Sequence, residues 1–158
     1  MLGTLECNAL CCESVQGTSL EDWPSDPPLQ QLVLETCGSP AKPVAFGVGM
    51  SGSGHWSLAA EVIGGPVDRI QFDWACRIQR PAAQLRSTYR MELASPRDPV
   101  VLTDQRGEWR MEDGSTLAVR VSEGRLTWRR EHGLLSIEPT SDIQSLGTHC
   151  WRYGFSVE

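Results

Sequence analysis

The sequence predicts a mainly β protein: an antiparallel up-and-down barrel or sandwich of about eight or nine strands, with one or two short helices near the N-terminus. Three observations carry this. The first is the stretch IQFDWACRIQRPAAQLRSTYRMEL at residues 70–93, which splits when read in twos. Ile70, Phe72, Trp74, Cys76 and Ile78 fall on one side, and Gln71, Asp73, Ala75, Arg77 and Gln79 on the other. The second is a series of turn compositions, SGSG, GGP, DGS, EG and EHG, between short alternating segments. The third is that no helical pattern of ten to fifteen residues separates successive segments from Val44 onward, which argues against a parallel β/α architecture.

At 158 residues the chain suits one domain with its own core. It reads as an N-terminal connector and helical segment (1–43) followed by an antiparallel meander (44–158). DWPSDPP (22–28) is a turn or extended connector, because each proline restricts the residue before it. LQQLVLETCG (29–38) favours a short helix capped by Asp26 and stopped by Gly38, although Leu32 and Leu34 also alternate as a strand would. Residues 44–50 and 56–62 then flank SGSG as a hairpin, and GGP separates them from residues 70–93. Four short segments follow, at 108–112, 116–122, 125–130 and 134–138, and HCWRYGFSVE closes the chain with an aromatic face.

Parity proposes two registers, since apolar residues of an antiparallel pair share a face. Trp74 opposite Tyr89 leaves residues 80–83 as a loop, pairs Asp73 with Arg90, and sets Arg77 against Arg86. Val121 opposite Leu126 leaves Glu123 and Gly124 as a two-residue turn.

A net charge of −6 argues against nucleic acid, which requires a basic excess. No stretch approaches the roughly 18–20 apolar residues of a membrane span. The N-terminus lacks a basic n-region, so a cytoplasmic address is the default expectation. The bases are thirteen arginines and one lysine, Lys42; genome composition explains that bias, and so would planar bidentate contacts that lysine cannot make. Six cysteines, at 7, 11, 12, 37, 76 and 150, are too unevenly spaced for a stapled scaffold. The group at 7, 11 and 12 lacks a second ligand pair, so no metal or cofactor is expected, while a reactive thiol there stays open. Cys76, on an apolar strand face, reads as a small hydrophobe.

No coherent catalytic constellation is visible. His55, His132 and His149 lie in or beside turns with no metal spacing, and the glycines at 47, 49, 52 and 54 lack the Lys-Ser/Thr of a phosphate loop. GHW at 54–56 resembles the G-x-W of lipocalins and related calycins, in which an arginine of the last strand packs over the tryptophan. The resemblance would give those parts to Gly54, Trp56 and Arg152, and implies a ligand-holding barrel. Here the motif falls on the second strand of the meander rather than the first.

Candidate ligand-binding residues are therefore Trp56, Trp74 and Tyr89 on apolar faces, and Arg77, Arg86 and Arg90 on charged ones. The leading expectation is a non-enzymatic binder of a small apolar or amphiphilic ligand, its acidic group met by arginine. A protein–protein interaction or assembly module with an arginine-rich sheet face is the alternative, and a homo-oligomer fits either. A small hydrolase or isomerase using His55 or His149 with a carboxylate is a third reading.

Overall fold

The computed structural model describes the chain except residues 1–4, 8, 9, 16–21, 25, 27, 93–97 and 112. Thirteen strands occur among the described residues. They are β1 (Leu5–Cys7), β2 (Leu10–Ser14), β3 (Gln31–Cys37), β4 (Lys42–Ser51), β5 (Gly54–Ile63), β6 (Arg69–Ile78) and β7 (Ser87–Glu92). Then follow β8 (Val101–Thr103), β9 (Arg106–Arg110), β10 (Thr116–Glu123), β11 (Arg125–Arg129), β12 (Leu134–Glu138) and β13 (Gly147–Val157). All pair antiparallel, in a five-stranded sheet of order β1-β2-β7-β12-β11 and an eight-stranded sheet of order β3-β4-β5-β6-β13-β10-β9-β8. The inner faces of the two sheets share one core, and neither sheet closes into a barrel.

The β4–β5 hairpin forms around Gly52 and Ser53, as the alternation predicts. The N-terminal helix does not form. Residues 31–37 are β3, paired along their whole length with β4, so the alternation of Leu32 and Leu34 decides over the capping signals. Asp26 caps nothing; it is buried. The single helical turn described is a 3-10 turn at Arg130–His132, ended by Gly133 with φ of 58°.

Both parity-derived hairpins are overturned, for one reason. β6 pairs with β5 and β13 in the eight-stranded sheet, whereas β7 pairs with β2 and β12 in the five-stranded one. β10 and β11 likewise belong to different sheets. Strands facing one another across a core satisfy the same parity as strands lying side by side, so alternation cannot tell them apart. Asp73 thus lies opposite Arg152 rather than Arg90, and Arg77 lies opposite Thr148 and His55 rather than Arg86.

The second crossing depends on Gly124. Its φ of 118° suits glycine, and an added Cβ would stand 2.7 Å from the Glu138 carbonyl oxygen. Gly47 and Gly49 serve another close approach, leaving room for Leu29 and the Pro28 carbonyl to cross the inner side of β4.

Candidate functional site

β7 carries a different chemistry on each face. Ser87, Tyr89 and Met91 point into the core, and Thr88 and Arg90 point outward with Arg86 immediately before them.

The inner face ends in a hydrogen-bonded network joining the two sheets. The Tyr89 and Tyr153 hydroxyls lie 2.5 Å apart, and Trp74 Nε1 donates to Tyr153 Oη at 3.1 Å. Trp151 Nε1 donates to Ser87 Oγ at 3.0 Å. Beside this network lies Asp26, 8 % exposed, whose Oδ2 accepts a hydrogen bond from the Ser14 hydroxyl. Its Oδ1 is buried and accepts no hydrogen bond. Burial pushes the Asp26 carboxyl up to about 7, outweighing Ser14 and the Thr88 backbone, which favour the charged form. Burial also raises Tyr89 and Tyr153, and the charge of Asp26 adds to both.

The described residues on either side of Asp26 are fastened to the sheets at several points. Asp22 pairs with Arg80 at 2.6 Å, and Gln84 Nε2 donates to the Trp23 carbonyl at 2.7 Å. Pro24 is fully buried, and Gln30 N–H donates to the Val48 carbonyl at 2.9 Å.

The outer face of the five-stranded sheet is polar and basic. Register aligns Thr127, Ser136 and Thr88 in one row, and Arg129, Leu134, Arg90 and Glu13 in the next. Thr88 and Ser136 are buried, their hydroxyls 3.3 Å apart. Arg125 pairs with Glu138 at 2.6 Å at the end of the face nearer Arg86, because Ile137 lies opposite Ser87. Arg86 is half-buried, and its Nε is buried with no acceptor. Burial lowers its pKa and the neighbouring Arg129 lowers it further, with Glu138 acting in the opposite sense. Arg86 does therefore have a like-charged neighbour, but that neighbour is Arg129. Four arginines stand here against two carboxylates, Glu13 and Glu138, among the side chains described, in a chain of net charge −6.

Of the residues singled out by sequence, Trp74 and Tyr89 are brought together through Tyr153, and Arg86 and Arg90 share one face. Trp56 is fully buried, edge-on to Trp151 at 6.1 Å. Arg77 is exposed on the outer face of the other sheet. Arg152 does not cover Trp56 as the calycin resemblance implies. It lies on the opposite face of its sheet, where its Nε donates to Asp73 at 2.9 Å. Alternation shows Asp26, Tyr153 and Arg129 as a loop residue, a core residue and a surface residue, and does not place them at these sites.

His149 is buried with both ring nitrogens engaged. Nε2–H donates to the Ser145 carbonyl at 2.9 Å, which leaves Nδ1 to accept the Ser141 hydroxyl at 2.7 Å. Asp142 instead accepts from the Gln144 amide and the Ser145 hydroxyl. The histidine fastens the 141–145 loop to β13. Cys76 is fully buried, its thiol pushed up to about 12 by burial, and it packs as a hydrophobe. Cys12 is buried on β2 opposite Met91; the side chains of Cys7 and Cys11 lie outside the described residues. No group of three His, Cys, Asp or Glu placed to hold a metal occurs among the described residues, and no helix there is long and apolar enough to cross a membrane.

Comparison with protein-family models, with curated proteins and with solved structures finds no match to this chain.

Proposed function

We propose that the protein is a non-enzymatic binding module, and that the outer face of its five-stranded sheet takes an acidic segment of a partner protein through Arg86, Arg90 and Arg129. The observation that carries this reading is the buried Arg86 Nε without an acceptor beside a second arginine. A desolvated, like-charged guanidinium is unfavourable alone and becomes favourable once a carboxylate lies between the two.

Spacing favours a segment over a small anion. Arg86 and Arg90 are four residues apart, so their Cα atoms are separated by about 13 Å along the strand, and Arg129 stands two strands across from Arg90, about 10 Å away. One phosphate does not span that set, whereas several carboxylates on an extended peptide do. Binding within the interior, the reading attached to Trp56, Trp74 and Tyr89, is less favoured. Their rings and hydroxyls are already engaged with Trp151 and Tyr153.

The test is fluorescence anisotropy of a labelled oligoglutamate peptide titrated with protein at low and at physiological salt. Wild type is expected to bind and to weaken with salt. Arg86→Ala and Arg129→Ala should each weaken binding about tenfold or more while the fold is retained, as expected for truncating one member of a desolvated charge pair. A wild type that does not bind at low salt, or variants that bind as well as wild type, would remove the proposal.

A further inference from the structure

We propose that β3 is a pairing edge through which two copies of this chain form a symmetric dimer, joining their eight-stranded sheets edge to edge. The inference is independent of the acidic-segment reading, which concerns the other sheet.

Four strands end the two sheets, and three of them are blunted as protein edges usually are. β1 and β8 are three residues long, and β8 follows Pro99 closely. β11 is five residues long, with Arg125 and Arg129 at its ends. β3 is different. It runs for seven residues, contains one charged side chain, Glu35, and has no strand on its free side among the described residues. Leu32, Val33 and Leu34 are 52 %, 52 % and 73 % exposed. The exposed apolar surface continues onto β4, where Phe46 lies opposite Val33 and Val48 follows. A long, apolar, unpaired edge is a template for another strand.

The sequence of β3 makes a second copy the fitting strand. In an antiparallel pair around a two-fold axis, residues of one parity share a face, so the sum of paired residue numbers must be even. With the axis at residue 33, Val33 meets Val33, Leu32 meets Leu34 in both directions, and Gln31 meets Glu35. Every apolar side chain then faces an apolar one, and the carboxylate faces an amide that donates to it. Placing the axis at residue 34 sets Val33 against Glu35 and Leu32 against Thr36. Placing it at residue 35 opposes the two Glu35 carboxylates, and placing it at residue 32 sets Gln31 against Val33. One register is self-complementary. The contact involves one strand per copy and is smaller than an obligate interface, so the dimer is a concentration-dependent one.

Sedimentation velocity over a concentration series tests this, with Val33→Lys as the variant, since it sets two ammonium groups against each other on the axis. Wild type should shift from monomer to dimer as concentration rises, and Val33→Lys should stay monomeric with a wild-type circular-dichroism spectrum. A wild type that remains monomeric throughout, or a dimer that survives Val33→Lys, overturns the proposal. If the lysine variant fails to fold, crosslinking decides. Val33→Cys should be joined to its own copy by a short thiol-specific crosslinker well above the wild-type background. Glu35→Cys, about four residues out of step with its own copy, should not. Equal crosslinking at the two positions, or none at either, rejects the axis and the dimer with it.

Discussion

Adjacent residues of β7 end in opposite circumstances. Tyr89 turns inward to a hydroxyl pair that also receives the Trp74 indole, while Arg90 turns outward to a face where charges are left over. The hydroxyls of Tyr89, Tyr153 and Ser87 and the indoles of Trp74 and Trp151 engage one another, which suits a network that fixes how two sheets sit together. Asp26 Oδ1 and the indole N–H groups of Trp56, Trp109 and Trp128 are nonetheless buried without a hydrogen-bond partner among the described residues. The outward groups are incompletely satisfied, which suits a surface that something else completes. Burial alone does not separate the two, because Thr88 and Ser136 on the outer face are as buried as much of the core. What separates them is charge: the inner polar groups are hydroxyls, indoles and one carboxyl held protonated up to about pH 7, whereas the outer face carries guanidinium groups in excess of carboxylates.

The largest effect that would test this contrast comes from the inner face. Trp151→Ala removes a fully buried indole that packs against Trp56 and Trp74 and donates to the Ser87 hydroxyl. A loss of about 3–5 kcal/mol is expected in chemical denaturation. A loss below about 1 kcal/mol would mean the sheets are not held by this cluster.

The next effect depends on pH. In the folded chain Asp26 keeps its proton up to about pH 7, whereas in the unfolded chain it loses it near the ordinary value of 3.8. The folded state therefore holds the extra proton between these values, and stability falls as pH rises through that window. The contribution is fully present below about pH 4 and gone above about pH 7, stability falling by roughly 1.4 kcal/mol for each pH unit crossed between them. Among the described residues, the groups that act on it are Ser14, the Thr88 backbone, Tyr89 and Tyr153, none of them a cation. Asp26→Asn should flatten the profile between pH 4 and 7 and exceed wild type in stability at pH 8. An unchanged slope in that variant would assign the pH dependence elsewhere.

The smallest effect lies on an exposed pair. Arg152→Ala breaks the contact with Asp73, but the two side chains are 42 % and 38 % exposed, so the melting temperature should move by the equivalent of less than about 1 kcal/mol. A loss near that of Trp151→Ala would mean the outer surface of the eight-stranded sheet also holds the fold.

Much of the fold was legible because alternation reports directly which side chains face the core. Cys76, Trp74 and Ile78 were readable as buried from the sequence, and the segments read at 116–122 and 134–138 are strands. Alternation does not report which strand is the neighbour. For that reason the Arg77–Arg86 and Asp73–Arg90 juxtapositions dissolve, and Asp73 finds Arg152, 79 residues away in sequence. The helix expected at 29–37 failed where local capping signals met a strand partner, β4, that pairs with the whole of β3. Asp26 sits in a stretch whose prolines announce an extended segment but not its destination.

Arginine side-chain spectra would test the central claim most directly. In 1H–15N correlation spectra, titration with an oligoglutamate peptide should shift the Nε–H signal of Arg86 and the signals of Arg129 and Arg90, leaving the indole signals of Trp74 and Trp151 in place. Movement of the indole signals with the arginine signals unchanged would put the binding site inside the sheets and contradict the account.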